Sequence, residues 1–445
     1  MYGLLLATRY FLRRRMAYAA VAAVAICVFM VIVVMTVMTG LVSDFKAKNH
    51  QWIGDCVVST PSMVGFDGYG QFTEILKRTD FVRSAAAVVN GYALLGYAGS
   101  DYTETVEVMG VDPGSYCDVT DFGRALHYHK MACADAFQPL YQRDLPGCVV
   151  GIDKVLPRNE YGRYTHAVAP PKYAFTLSCF PLTASGRLAR AGLDVVISKV
   201  FHYSDDFHSG LAKVDGSTIY IDLSEAQALL GMDAPPARAS AIHVSFERNI
   251  GLEAGCAGVR ELWKLFKSTK TSDLLDRVRV ESWKGYCREV IAPVEKEQAM
   301  MIACFVMIGI ITVFVVFVIF YMLISHKTRD IGTLRSVGAC RAEIMRLFLG
   351  FALIVGGCGS AAGVVSAAVF LAKINRLEQW LYRRYGFQLW NRMVYAIDEI
   401  PNDMTVLTVA IVVAAALAAC LAGAVLPSWW AAGSDPVKSL RTSSL

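Results

Sequence analysis

Six residues invite a chemical reading first. His202, Asp205, Asp206 and His208 fall in one short segment, and His127 and His129 in another. Imidazole and carboxylate are common ligands of zinc and similar divalent ions, so this grouping admits a metal site. A solvated loop tip is the plainer expectation and the preferred one. The carboxylates show no obvious pairing for acid–base work. No Walker A sequence, no G-x-S-x-G and no H-E-x-x-H occurs. That removes the P-loop route to ATP, the serine elbow and the helical zinc-protease pattern. The twelve cysteines occur singly, without a C-x-x-C pair, and seven lie in the polar region 44–298. Seven cannot all pair internally, and burial as small hydrophobes is the preferred reading. The sequence therefore nominates no catalytic, cofactor-binding or metal-binding residue.

The elements that must position these groups belong to an unusually apolar chain. Of 445 residues, 55% are hydrophobic and 18% charged, and the mean hydropathy is +0.42. A soluble chain carries about a quarter charged residues. An ordinary soluble domain and a disordered chain are both excluded, and the surplus points to membrane spans. The net charge of +5 comes with no Lys/Arg run, so nothing suggests nucleic acid. Fourteen prolines and 35 glycines exclude low complexity.

A spanning helix needs roughly 20 apolar residues. Stretches 16–43, 299–325, 347–372 and 404–434 qualify and carry no charge, with Pro427 predicted to end the fourth helix early. The first is far longer than the ~7–15 residues of a signal core and lacks a convincing cleavage site, so it reads as a retained anchor. The stretch 84–100 is also uncharged, but Asn90-Gly91 interrupts it. That dipeptide between β-favouring runs predicts a hairpin with a type I′ turn.

Four spans put both termini on one side. Arg9, Arg13, Arg14 and Arg15 favour a cytoplasmic N-terminus, and Lys327, Arg329, Arg335, Arg341 and Arg346 agree. Lys373, Arg376, Arg383, Arg384 and Arg392 disagree. The first helix usually dominates, so 44–298 is expected outside the cytoplasm. That region reads as mixed α/β. Strands are expected at 56–59, 105–110, 195–200, 217–223 and 241–246, and helices at 71–82 and 259–266. Ser224 through Gln227 fits a capping box opening a helix through Leu230. No tandem repeat of solenoid length is evident.

The spans contain no ionisable group, which disfavours a proton or ion relay. Gly359 and Gly363 stand at a G-x-x-x-G spacing that lets helices approach closely, within the chain or between copies. The segment 327–348, KTRDIGTLRSVGACRAEIMRLF, is the strongest signal. Ile331, Leu334, Val337 and Ile344 form an apolar face with charges elsewhere, suited to the membrane interface or to a docking helix for a cytoplasmic partner.

At this segment the chain resembles the FtsX-like/MacB-like ABC permease superfamily, whose loop after span two reads K-x-R-E-I-G-x-L-R-A-x-G-A. Lys327, Arg329, Ile331, Gly332, Leu334, Arg335, Gly338 and Ala339 match, and Asp330 replaces the usual Glu. The stretch 427–441 is similar to the family's closing motif through Asp435, Pro436, Val437, Leu440 and Arg441, with Ser439 where Ala is usual. Within the superfamily the chain most resembles the lipoprotein-releasing permeases of LolC/LolE type. The opening ATRYFLRRR, VEVMGVDP (106–113), IYIDLSEAQALLGM (219–232), ESWK (281–284) and the stretch 395–401 carry that similarity.

The resemblance implies a polytopic α-helical membrane protein of the cytoplasmic (inner) membrane, with four transmembrane helices and a large α/β periplasmic domain. That domain comprises a porter-like subdomain and a mainly β insertion, placed near 150–236. It implies a homo- or heterodimer of permease protomers and a separate ABC ATPase dimer that binds ATP and Mg, so this chain is no enzyme and binds no cofactor. The coupling helix would include Arg329, Asp330, Ile331, Gly332, Leu334, Arg335, Gly338 and Ala339. The implied work is extraction of lipoproteins from the membrane towards a periplasmic carrier, the carrier docking on a hairpin. The nearest equivalent lies in 179–187, with Phe180 and Leu182 as apolar anchors and Pro181 and Gly186 as turn residues. The rival readings are MacB-like export of peptides or small molecules, FtsX-like signalling to a cell-wall hydrolase, and a bare membrane-anchored sensor.

Overall fold

In hydrocarbon no water satisfies a backbone N–H or C=O, so an apolar run must close its hydrogen bonds within itself as a helix. The computed structural model describes residues 15–98, 101–130, 132–157, 164–189, 195–270, 272–325, 338, 340–386 and 400–433. Among these, four helices are long and apolar enough to cross a membrane. Span 1 is Arg15–Ile53, span 2 Arg288–Ser325, span 3 Arg341–Tyr385 and span 4 Val406–Gly433. The first three apolar stretches each lie in one helix that outruns them, and the fourth is helical from Val406 to Gly433. Span 1 continues ten residues past Ser43, span 2 begins eleven before Ala299, and span 3 runs on to Tyr385. Pro427 does not end span 4, which continues through it to Gly433. A single proline removes one ladder bond, and the apolar helix carries on around it. The chain divides into two compact units, one holding the apolar stretches of the four spans and the other residues 44–292, which include the end of span 1 and the start of span 2.

Residues 44–292 build on a nine-stranded sheet: β1 Cys56–Ser59, β3 Val82–Tyr97, β4 Thr103–Val111, β5 Gly147–Gly151, β6 Ala174–Cys179, β7 Ile197–Phe207, β8 Thr218–Asp222, β10 Ala241–Phe246 and β11 Arg279–Ser282. A separate two-stranded pair joins β2 (Phe66–Asp67) to β9 (Arg238–Ala239). The order is β11-β1-β10-β3-β4-β8-β5-β7-β6, and a further β3–β6 pairing closes six strands into a ring. Closure leaves those strands no open edge. The helices α1 (Tyr69–Lys77), α2 (Pro113–Val119), α3 (Leu223–Leu230) and α4 (Leu252–Ser268) pack around the sheet. Strands β5 and β10 are buried at every position; β5 carries no polar side chain, whereas β10 buries His243 and Ser245 between its apolar residues.

The expected hairpin at Asn90-Gly91 is not there: β3 runs straight through it for 16 residues. Residues 82–88 of β3 pair with β10, and 94–97 pair with β6 on the same edge. Between the two partners, the Ser240 hydroxyl accepts from Asn90 N at 2.9 Å and donates to Asn90 O at 3.2 Å. Gly91 serves packing rather than a turn. A Cβ there would lie 2.5 Å from a Leu230 methyl, and one at Gly110 on β4 would lie 2.1 Å from Ala226 Cβ. Two glycines thus seat α3 on β3 and β4. The helix is capped by Asp222, whose carboxylate accepts from Ser224 N at 2.9 Å, two residues ahead of the expected cap. The region 150–236 supplies β6, β7, β8 and α3, and these strands share the one sheet.

His243 in β10 is 3% exposed and its Nδ1 has no hydrogen-bond partner. Burial pushes its pKa from 6.5 down to about 4, so the fold keeps it neutral. The unfolded chain takes up a proton near 6.5 that the folded domain refuses. This site's stability is full above that value and falls as pH drops from 6.5 towards 4. At pH 5.0 the loss is about 2 kcal/mol. Urea unfolding of the detergent-solubilised chain at pH 7.5 and 5.0 should show this loss, and His243→Leu should reduce it. A wild-type and His243→Leu pair with the same pH dependence would refute the assignment.

Candidate functional site

The segment matching the coupling motif falls mostly outside the described residues, including Arg329, Asp330, Ile331, Gly332, Leu334, Arg335 and Ala339. So does the closing motif from Asp435 onward. Gly338 is described. Its φ is +104°, a conformation L-residues avoid, and a Cβ there would meet nothing within 4 Å. The glycine is required by backbone conformation, not by a close neighbour. Beyond it, span 3 starts at Arg341, and Glu343 Oε2 accepts from Cys340 N at 3.0 Å, tying down the helix start. Ile344, expected on the segment's apolar face, is 3% exposed within span 3.

Gly359 and Gly363 both face span 1. Added Cβ atoms would lie 2.8 Å from Val24 and 2.8 Å from Val28 and the Ala25 carbonyl. Gly356, about a turn away on span 3, faces Leu417 and Cys420 of span 4 at 3.1–3.2 Å. Gly423 of span 4 faces the Val313 carbonyl of span 2 at 2.7 Å. Small residues thus bring three helix pairs into close contact, and in this chain the G-x-x-x-G pair is occupied within the protomer.

The segment around Phe180 forms a narrow hairpin. Leu182 bridges Leu188, Thr183 N donates to Arg187 O at 2.8 Å, and Ala189 N donates to Pro181 O at 2.8 Å. Gly186 takes φ +75° at the tip, with open space around it. The base is fixed to the domain. Arg238 is 3% exposed, and its guanidinium donates to the carbonyls of Val64 at 2.8 Å, Leu182 at 3.3 Å and Gly231. Leu182 N donates to Leu230 O at 3.3 Å, and Pro181 is buried. Of the expected apolar anchors only Phe180 is free, 52% exposed, while Leu182 is partly committed to the chain's own packing. The second exposed apolar residue is Leu188 at 53%, which the sequence did not single out because nothing marks the return strand before the hairpin is known.

His202, Asp205, Asp206 and His208 do not form a solvated loop tip. The first three lie on β7, His208 directly follows it, and both aspartates are buried. Asp205 accepts from the backbone N–H groups of His127, Tyr128 and His129 at 3.1, 3.0 and 2.7 Å, and contacts His129 Nδ1 at 3.2 Å. Asp206 holds His166 at 2.9 Å and accepts from the Tyr203 hydroxyl at 2.5 Å. His166 stacks on His127 at 3.6 Å, and burial together with this neighbour holds His127 below the usual histidine pKa. His208 pairs with Asp215 at 3.1 Å, while His202 meets the Tyr141 hydroxyl at 3.2 Å. The two expected groups therefore meet, but as a clamp. No cluster able to hold a metal is found among the described residues. His166 and Asp215 were invisible as participants because their partners are 40 and seven residues away in sequence.

Cys117 and Cys133 form a disulfide, which corrects the preferred reading of the cysteines as buried small hydrophobes for these two. Beside it a polar cleft of about 860 Å³ is lined by residues that include His50, Asp55, Arg83, Arg124 and Arg248. Burial raises the Asp55 carboxyl, but hydrogen bonds from His50 at 2.8 Å and Phe246 N at 2.7 Å outweigh it, and its pKa falls below the usual value. The cleft mixes both signs of charge and does not select one ligand class.

Residues 302–436 match the FtsX-like permease C-terminal family. The lipoprotein-releasing system transmembrane protein LolC of Neisseria meningitidis serogroup B is 25% identical over 372 residues, covering 83% of this chain and 80% of that protein. The LolC protein of Xylella fastidiosa is 30% identical over 120 residues, covering 27% of this chain and 29% of that protein. Among solved structures, the periplasmic region of MacB from Actinobacillus actinomycetemcomitans covers 55% of this chain and 97% of its own, at 11% identity and a TM-score of 0.30.

The clamp around Asp205 has a measurable consequence. Replacing Asp205 by Ala leaves the N–H groups of His127, Tyr128 and His129 without this acceptor, the last of them buried, and should cost about 3–5 kcal/mol. Asp205→Asn keeps one acceptor oxygen and should cost less. Urea unfolding followed by limited proteolysis near residues 127–130 measures both. An alanine variant as stable and as protease-resistant as the wild type would exclude the clamp.

Proposed function

We propose that this FtsX-like ABC permease, similar to LolC-type and LolE-type proteins, is the membrane subunit of a complex that releases lipoproteins from the cytoplasmic membrane towards a periplasmic carrier. The observation that carries the reading is the similarity to a lipoprotein-releasing LolC protein over 83% of the chain. The chain has no Walker A sequence, so ATP and Mg belong to a partner ATPase dimer docking on the segment 327–348. A second permease protomer completes the membrane part. Apolar stretches without a charged residue suit a machine that moves helices rather than one that relays ions.

On this reading residues 44–292 lie outside the cytoplasm and both termini inside. The Cys117–Cys133 disulfide supports that orientation, because disulfides persist in oxidising compartments. The carrier would dock on the hairpin bearing Phe180 and Leu188, whose braced base and exposed apolar pair suit a contact surface.

Orientation is tested by thiol labelling. Cys133→Ser frees Cys117 at the wall of the polar cleft, and a membrane-impermeant maleimide should label it in right-side-out spheroplasts. Labelling confined to inverted vesicles would overturn the orientation.

The function is tested by pairing two variants in a reconstituted release assay. Phe180→Ser with Leu188→Ser should cut transfer to the carrier at least tenfold while ATP hydrolysis persists, the loss of apolar anchors being worth about 2 kcal/mol or more. Arg335→Glu should lower ATPase recruitment, with about 1–3 kcal/mol of repulsion against an acidic surface. Unchanged transfer in the first variant removes the hairpin as the dock. No transfer of lipoprotein by the wild-type complex overturns the function itself.

A further inference from the structure

Spans 1 and 3 touch closely at Gly359 and Gly363, where the glycines admit Val24 and Val28. Further along span 3 the same two helices leave a groove of about 840 Å³. Its lining is apolar apart from two side chains, Ser366 and Lys373. The Ser366 hydroxyl is turned back on its own helix, donating towards Ala362 O at 2.8 Å and Gly363 O at 3.0 Å. The groove wall therefore offers a ligand no free donor there. Phe29 of span 1 meets Phe370 of span 3 edge to face, 5.5 Å between centroids, and both line the groove. Ala362, Val365 and Val369 continue the wall to Lys373, and Leu377 lines it one turn beyond.

Lys373 is exposed and is the first ionisable residue after the uncharged stretch of span 3. From Ala362 to Lys373 the helix rises about 16 Å, close to half of a ~30 Å hydrocarbon core. The stretch of groove from Ala362 to Lys373 thus has the length of one leaflet, with an apolar body and a cation where the uncharged stretch of the span ends. We propose that it holds one acyl chain of an anionic bilayer phospholipid, with the lipid phosphate against Lys373. The charge selects the occupant. A second copy's apolar helix would leave Lys373 without a counter-charge, and a zwitterionic lipid would offer it less. Lipid bound there lies across the junction of spans 1 and 3, so membrane composition would bias how those helices pack. This site does not depend on what the permease moves.

Native mass spectrometry of the full chain, extracted from nanodiscs of phosphatidylglycerol and phosphatidylcholine, tests it. The wild type should retain one phosphatidylglycerol in preference to phosphatidylcholine, by about fivefold for one lysine at the headgroup level. K373Q should abolish that preference while leaving the fold intact. A362F should block the groove and reduce retention of both lipids, and R384Q, remote from the groove, should change neither. Equal retention of the two lipids by the wild type, or an unchanged preference in K373Q, overturns the proposal. So does an A362F variant that alters only the proportion of dimers, which would make a second copy the occupant.

Discussion

The absence of water in the hydrocarbon core is the constraint from which the rest follows. Each span must satisfy its backbone internally, so the four apolar stretches have one available structure. Lipid tails give no hydrophobic drive for helix association, so contact must come from close packing. Gly356, Gly359, Gly363 and Gly423 supply it, each admitting a neighbouring helix where a Cβ would crowd it. The same constraint explains the lack of ionisable groups in the apolar stretches. Such a bundle can change by sliding or tilting packed helices.

Outside the membrane unit, the organising choice is the length of β3. One strand serves two partners on one edge, β10 and then β6, and thereby joins the open part of the sheet to its closed ring. The exchange point would leave the Asn90 backbone unpaired, and the Ser240 hydroxyl fills both bonds. The glycines of β3 and β4 then let α3 lie directly on the strands. α3 in turn offers Leu230 O to the hairpin at Leu182, so the sheet, the helix and the projecting hairpin form one connected support.

Much of this was legible in the sequence, and the failures share a cause. The four spans, the mixed α/β character and the strands Cys56–Ser59 and Ala241–Phe246 follow from composition and local pattern. The permease resemblance came from short motifs and is upheld by the matched family and the LolC relatives. Asn90-Gly91 misled because turn propensity is local, whereas Leu230 and Ser240, which decide its role, are more than 130 residues away. Pro427 misled because a soluble helix would stop where a membrane helix cannot unwind. The aspartates of β7 looked solvated because burial of a charge is visible only once its donors are known. Phe180 was legible as an exposed apolar residue, but its companion Leu188 was not.

The buried charges of the large domain show why pattern alone could not find them. Asp205 gathers the backbone of residues 127–129. Asp215 accepts from Ser209 N at 2.6 Å and Gly210 N at 3.0 Å, closing the turn after β7. Arg238 gathers carbonyls from residues 64, 182 and 231. In each case one side chain bonds a run of backbone groups rather than only an oppositely charged partner. A buried ion pair offsets much of its attraction by desolvation, and losing one partner strands the other. A charge that bonds backbone dipoles instead satisfies groups that would otherwise need water, and it holds irregular segments where no sheet partner reaches. The cost is that nothing in the local sequence marks such a residue, since its partners are backbone atoms that any side chain can carry. The hairpin with Phe180 and Leu188 is held by one of these charges, so the geometry of the proposed docking surface is set from Arg238, outside the loop that would make the contact.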